Sequence, residues 1–541
     1  MFKKYIPLIL IILLAIFLRF WNLDKNPPSL TWDEAAWGYN AYSLGIDGRD
    51  EYGRFLPLNY LESFGDFKPP VYAYLDILPI KLFGLNEFAV RLPSALLGVL
   101  TVLVTYFLTK RIFWNSNSKE LISIFSTLFI AISPWHIMLS RAAFEANVAT
   151  FFLTIGVLFF LKGVQGKKKY LIFSVISFVI SIYTFNTARI VAPFLVLFLG
   201  FIFRRQLFEN KKQTFIAVLV GIILILPIFK FLLSPQASLR FKEVNIFSDN
   251  TIVITANQEV ANDNNAFWSN ILHNRRFGYG VSYLRHYFDN LNPSFLFVKG
   301  DGNPKFSTQD VGQMYLWDLP FIVIGSLIIF KKRPGFWFII PAWMLIGILP
   351  AATARETPHA LRIEATLPTF QILVGYGFSQ FLLYIRSHLK LFKLIIFVLS
   401  FLLLVNFFYF FRNYNVHYPY IFSGEWQYGY RESIEYVKSV EGKYDQIFVT
   451  TELGRPYIYY LFYTRADPNI FRKNSDVNRD PFGFVSVGGY GKYKFTNKIK
   501  DFRRVNEINL YIGTPRDIPA KANILKKFYL LNGDVSLVAY E

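Results

Sequence analysis

Apolar runs separated by short polar stretches follow one another along the first three quarters of the chain. They lie at residues 5–22, 89–109, 120–138, 146–162, 170–186, 188–203, 214–233, 316–330, 336–351, 366–385 and 391–411. A helix across hydrocarbon needs about 20 residues, so runs of this length predict about eleven membrane-spanning helices. The segment 70–85, "PVYAYLDILPIKLFGL", is also apolar but contains Asp76, Pro79 and Lys81. It is read as an interfacial helix in or dipping into the outer membrane surface rather than as a span. Beyond residue 411 the pattern changes. "ESIEYVKSV" has helical spacing, and "YDQIFVTT", "INLYIG" and "VSLVAY" read as strands, which predicts a small α/β domain over 412–541 behind a transmembrane domain over 1–411.

The basic residues test this topology, because cytoplasmic loops carry an excess of Lys and Arg. Lys3 and Lys4, Lys110 and Arg111 with Lys119, the lysines of "GKKKY" at 167–169, Arg204 and Arg205 with Lys211 and Lys212, Lys331 to Arg333, and the stretch 386–393 fall on one side when the eleven runs cross in turn. That side is predicted to be cytoplasmic, with the N-terminus there. Counting 70–85 as a span would put every later cluster outside. The outer loops are then 23–88, 139–145, 234–315, 352–365 and everything after about 412. The first run lacks a small-residue cleavage site and reads as a retained span in the plasma (inner) membrane.

Composition agrees with this reading. Of 541 residues, 53% are hydrophobic and 59 are Phe, more apolar surface than a soluble chain can hide. The net charge of +20 sits in membrane-flanking clusters, so nucleic acid is not the expected partner. The absence of cysteine excludes disulfides, thiolate metal sites and cysteine nucleophiles.

An ionisable side chain at the centre of a span costs about 2.5–3.5 kcal/mol, which makes its position informative. Arg19, Arg91, Arg141, Glu145, Arg189, Asp318, Arg355, His359 and Arg362 fall near outer ends, together with Asp33, Glu34 and Lys68. Each has a plainer reading as an interface anchor. Collectively they describe a cationic bowl at the outer headgroup level. Arg and Lys there suit a lipid phosphate, and a carboxylate among them suits removal of a proton from an attacking hydroxyl. The layout predicts group transfer from a lipid phosphate to an alcohol.

The order of motifs is "WDE" at 32–34, "FGDFKPPVYAYL", "FAVRLPSALLGVLTVLVTYFLTKRIF", "SPWHIMLSRAAFEANVATFF", and more loosely "SFLFVKGD", "PHALR" and "GEWQYGYRESIEYV". It resembles the GT-C class of membrane glycosyltransferases, specifically bacterial relatives of the protein O-mannosyltransferases and of the lipid A aminoarabinose transferase. The resemblance implies a GT-C fold and a hexosyl- or pentosyltransferase. Such an enzyme would use a polyprenyl-phosphate sugar on the extracytoplasmic face, with inversion, and a protein, lipid or glycan acceptor.

The resemblance also implies site residues. Asp33 would be the catalytic base, with Glu34 in support or at a metal; alternatively Thr31 or Asp33 merely caps a helix over "EAAWGYNAYSL". Lys68, of the Lys-Pro pair, would bind the donor phosphate, or else anchor the interface before a Pro-Pro turn. Arg91, Arg141 and Arg362 would also serve the phosphate. Glu145, four residues beyond Arg141 on the same helix face, would support the site or form a simple ion pair with Arg141. Asp301 and His359 would be supporting residues, and His273, Arg275 and Arg276 would lie within reach of the phosphate. The aminoarabinose transferases have an acid just before the Lys-Pro lysine, where this chain has Phe67. No cofactor is required by the sequence, and a divalent metal is disfavoured but left open. The competing readings are an oligosaccharide ligase or polymerase of similar architecture and a transporter. The transporter is disfavoured because the charges gather at one interface and no internal repeat is visible.

Overall fold

The computed structural model describes residues 5–234, 237, 245–388, 390–479, 485–499 and 507–541. The first basic pair, Lys3 and Lys4, lies outside them. In chain order the main helices of the first 412 residues are α1 (Ile6–Phe20), α2 (Trp32–Asp47), α3 (Val71–Phe83), α4 (Glu87–Ile112), α5 (Lys119–Ile132), α6 (Pro134–Arg141), α7 (Glu145–Val164), α8 (Tyr170–Ile182), α9 (Ala188–Ile202), α10 (Lys211–Leu232), α11 (Leu319–Lys332), α12 (Ile339–Ile348), α13 (Thr369–His388) and α14 (Phe392–Arg412). Every apolar run read from the sequence is helical, and the chain is a multi-pass membrane protein. By length and composition four helices are long and apolar enough to cross a membrane, among them α4, α7 and α10, and the bent pair α5–α6 makes a fifth. Of the others, α1, α8, α9, α11 and α12 are shorter than the runs that predicted them.

Local chemistry explains the largest difference. Pro134 forces Ser133 into extended backbone, φ −59 and ψ 125, because the residue before a proline avoids the helical region. The run 120–138 is therefore two helices meeting at a 54° bend. α6 then ends at Arg141 and α7 starts at Glu145 after three non-helical residues. The shared helix face expected for Arg141 and Glu145 does not form.

The chain divides into two compact units, one of Met1–Arg19, Leu97–Ser140 and Glu145–Phe410, the other of Phe20–Leu96, Arg141–Phe144 and Phe411–Glu541. In the first unit the helices approach through glycine. A Cβ on Gly377 would lie 2.0 Å from the Phe321 carbonyl, and one on Gly325 would lie 2.5 Å from the Leu373 carbonyl. α11 and α13 thus meet backbone to backbone, the contact small residues provide where lipid gives no hydrophobic drive to association.

The second unit joins the first outer loop to the C-terminal region. β1 (Leu61–Ser63) and β2 (Asp66–Lys68) form a hairpin in which Leu61 faces Lys68. The C-terminal part contains α15 (Tyr430–Val440), β3 (Gln446–Thr450), α16 (Pro456–Thr464), β4 (Ser475–Arg479), β5 (Val485–Tyr490), β6 (Tyr493–Thr496), β7 (Asn509–Gly513), β8 (Ile524–Tyr529) and β9 (Val535–Tyr540). The sheet order is β4-β5-β6-β3-β7-β9-β8, with β3 parallel to both its neighbours. The helix and three strands read from the sequence are α15, β3, β7 and β9. The 412–541 region packs on the 23–88 loop. Tyr39 donates to the Ala466 carbonyl at 3.1 Å, Tyr459 to that of Leu30 at 3.1 Å, and Arg472 to Asp47 at 2.5 Å. The tyrosine-rich α16 is buried from Pro456 to Phe462. Its rings fill a core while the hydroxyls of Tyr457, Tyr459 and Tyr463 reach polar partners, so a segment with no clear amphipathic face becomes central.

Candidate active site

The start of α2 decides the fates of two adjacent acids. Thr31 is the N-cap: its hydroxyl accepts from Glu34 N at 3.2 Å, and Glu34 Oε2 accepts from Thr31 N at 2.9 Å. This reciprocal box satisfies two backbone donors and leaves Asp33 out of the cap. Successive helical residues turn by about 100°, so Glu34 is enclosed while the Asp33 side chain stays 47% exposed.

Glu34 Oε1 accepts from Arg91 Nε at 3.0 Å and from the backbone N of Ala143 at 3.0 Å. Arg91 has no exposure. Its Nη1 donates to the carbonyls of Leu23 and Pro27 at 3.0 and 2.8 Å, and its Nη2 to that of Ser29 at 2.6 Å. Arg141 Nη2 donates to the carbonyls of Trp21 and Asn26, both at 2.7 Å, and its guanidinium lies over the Tyr414 ring at 5.6 Å. Two arginines thereby gather the carbonyls of a loop that has no ladder of its own. Arg91 and Arg141, expected at the donor phosphate, thus engage loop carbonyls here, and Glu34, expected to be catalytic or at a metal, engages Arg91 and Ala143. All three side chains face inward. Beside them Asp76 of α3 is fully buried, with neither carboxylate oxygen hydrogen-bonded among the described residues. Burial first, then the Glu34 charge, pushes its pKa well above the usual carboxylate range.

Lys68 ends β2, and its ammonium forms an ion pair with Asp33. The lysine is largely enclosed, 5.2 Å from the ring centroids of both Trp37 and Phe64. Arg455, which nothing in the sequence pattern singled out, lies 4.2 Å over the Phe64 ring and donates to the Phe64 carbonyl at 3.1 Å. Only the tertiary contact of its loop with the β1–β2 turn gives it significance. Glu51 ties the hairpin to α2. Its Oε1 accepts from Asn40 Nδ2 at 3.2 Å and Ser63 Oγ at 3.1 Å, and its Oε2 from the Tyr457 hydroxyl at 3.4 Å. Burial raises its pKa to about 8. An acid in the turn-rich stretch "GRDEYGR" gives no periodic signal, which is why Glu51 was not among the expected residues.

The remaining expected residues belong to the first unit. Asp301 accepts from the backbone N of Ala360 at 2.6 Å and of Asn303 at 2.8 Å. His359 Nδ1 lies 3.9 Å from Asp301. Burial raises Asp301 to about 6, while burial and then the Arg362 charge lower His359 to about 3, so at neutral pH a neutral imidazole faces a carboxylate. Arg362 donates to the Glu356 carbonyl at 3.0 Å. Glu145 opens α7, where its charge acts on the buried Glu364. His273 is held by Glu259 at 2.7 Å, while Arg275 and Arg276 open an exposed helix capped by Asn274. Among the described residues no group of three or more His, Asp or Glu side chains would hold a metal ion, and Asp33 and Glu34 are each matched by a cation.

Residues 67–231 match the family model for dolichyl-phosphate-mannose-protein mannosyltransferase. Two uncharacterized proteins of Aquifex aeolicus (strain VF5) are similar. One is 30% identical over 207 residues, 38% of this chain and 38% of that protein; the other is 31% identical over 134 residues, 23% of this chain and 31% of that protein. The matched region thus spans well under half the length of these relatives. Among solved structures, ArnT from Cupriavidus metallidurans is similar over 98% of this chain and 97% of its own, at TM-score 0.55 and 14% identity, both in the apo state and bound to undecaprenyl phosphate. The Archaeoglobus fulgidus oligosaccharyltransferase, in complex with zinc and sulfate, is similar over 84% of this chain and 61% of its own, at TM-score 0.51 and 12% identity. At these identities the likeness is one of fold, and it is the GT-C fold that the order of motifs implies.

Proposed function

We propose that this chain, a GT-C-fold membrane protein related to the mannosyltransferases and the aminoarabinose transferase, moves a sugar from a polyprenyl-phosphate donor to an acceptor hydroxyl on the extracytoplasmic face. The observation that carries the reading is the pairing of a half-exposed acid, Asp33, with a sheltered ammonium, Lys68. The complex of a fold neighbour with undecaprenyl phosphate supports the donor class.

An ammonium has three donors, so Lys68 can exchange or share Asp33 with a phosphate oxygen. Its apolar and aromatic surroundings lower the local dielectric and strengthen that attraction. Donor binding then draws the ammonium to the phosphate and frees the carboxylate. Asp33 takes the acceptor hydroxyl proton as its oxygen bonds to the anomeric carbon. The bond from that carbon to the phosphate oxygen breaks, and the polyprenyl phosphate leaves with the electron pair, stabilised by Lys68. A single displacement inverts the anomeric carbon. Glu34, Arg91 and Arg141 are positioning residues that hold α2 and the loop before it. Asp301, His359, Arg362 and Glu145 form their own groups in the first unit and have no assigned part in this step.

The test is to incubate the full chain in lipid with a radiolabelled polyprenyl-phosphate monosaccharide and, separately, with a polyprenyl-pyrophosphate oligosaccharide. Consumption of the first, lost in Asp33→Asn, is the expected result. Consumption of the second alone would replace this reading with the oligosaccharide ligase or polymerase.

A further inference from the structure

A second polar concavity lies in the first unit, at the end of α4 away from Arg91, and plays no part in the chemistry above. It encloses about 650 Å³ between the loop after α4, the turn after α11 and the side of α13. The turn is fixed by its backbone. Arg333 has φ 50 and Gly335 φ 57. A Cβ on Gly335 would lie 2.1 Å from the Ile112 carbonyl, to which Phe336 N donates at 2.8 Å. The concavity therefore exists without any ligand to organise it.

Its lining is rich in donors. Lys332 donates to Gln380 Oε1 at 3.0 Å, which uses one of its three N–H groups. Arg333 Nε donates to the Phe330 carbonyl at 3.2 Å, and its terminal amino groups make no hydrogen bond to the described residues. The hydroxyls of Ser116 and Ser118 lie 3.0 Å apart at the rim. The lining carboxylate, Glu120, is matched by Lys110 at 2.7 Å and by the Tyr106 hydroxyl, so it does not oppose an anion. Cations with adjacent hydroxyl and amide donors suit an anion with several oxygens. The chain beside the lining residues is apolar: Phe330, Leu327, Trp114 and Tyr384 are each at least half exposed. Apolar helix ends beside basic residues mark the headgroup level of a membrane.

We infer that this concavity binds the phosphate headgroup of an anionic phospholipid, with Lys332 and Arg333 on the phosphate oxygens and acyl chains along Leu327 and Phe330. The charge pattern and the apolar edge together select a lipid over free phosphate. Native mass spectrometry of the full chain with phosphatidylglycerol or phosphatidylcholine tests this. Phosphatidylglycerol should be retained preferentially, and Lys332→Gln with Arg333→Gln should weaken its binding about tenfold or more with phosphatidylcholine unchanged. Asn117→Asp, an exposed loop change that adds an anion to the lining, should weaken it too. Replacing the lysines at 167–169 by glutamine, a basic cluster elsewhere, should leave the tight site intact. Melting curves establish that each variant is folded. Equal retention by the double variant, equal binding of the two lipids, or displacement of phosphatidylglycerol by equimolar inorganic phosphate would each overturn the assignment.

Discussion

Asp33 and Glu34 are neighbours in sequence, of one chemical type, on one turn of one helix, and each meets a cation. Glu34 and Arg91 are wholly enclosed, whereas Asp33 is 47% exposed beside its lysine. Removing one partner of an enclosed pair strands a charge away from water, so such a pair makes its surroundings obligatory while adding little net stability of its own. The open pair is different. Its acid is open to water or to a ligand. On the proposed reading, holding and reacting are divided between adjacent carboxylates by the 100° step of a helix.

The comparison is broken most forcefully at Arg91. Arg91→Ala leaves the enclosed Glu34 without its cation and three loop carbonyls without the donors Arg91 supplies, and we expect a loss of about 3–5 kcal/mol, read as a lowered melting temperature and poor recovery of folded protein. A variant as stable as the native chain would remove the holding role. Asp33→Asn should leave the melting curve nearly unchanged and reduce transfer by about 10²–10⁴; a large drop in melting temperature instead would make the open pair structural. Lys68→Gln should raise the donor KM about tenfold or more, because a charge-assisted contact to phosphate is lost, with the acceptor KM unmoved.

A pH-dependent comparison is offered by Glu51, which links the hairpin bearing Lys68 to the helix bearing Asp33. Its pKa rises from 4.5 to about 8 on folding, so the folded chain keeps a proton that the unfolded chain releases. That contribution is fully present below pH 4.5 and is lost as pH rises through 8. Glu51→Gln keeps a neutral side chain at every pH. Its melting temperature relative to the native chain should therefore climb between pH 5 and 8.5; a flat difference would show that Glu51 ionises normally.

Much of this architecture was legible in the sequence because it rests on local patterns. Hydrophobic runs must be helical wherever water is excluded, and all eleven coincide with helices. The α/β character of the C-terminal region followed from α15, β3, β7 and β9. The short strands of the sheet were not foreseen, since β4 to β6 carry weak alternation, and neither was α16, whose tyrosines show no polar face. Asp33 and Lys68 were named from motif order and are in contact. Arg91 and Arg141 were named from the same order, but nothing in a sequence says whether an arginine beside a span meets a ligand or a neighbouring carbonyl.

The chain's sequence by itself determined its helices and the acids and bases at its polar loops, because hydropathy and charge act over a few residues. Only the tertiary structure decided which acid faces outward, which arginines are enclosed, and that residues 35 positions apart form the open pair. Those outcomes depend on burial and on partners brought from distant segments, whose desolvation outweighs any local preference.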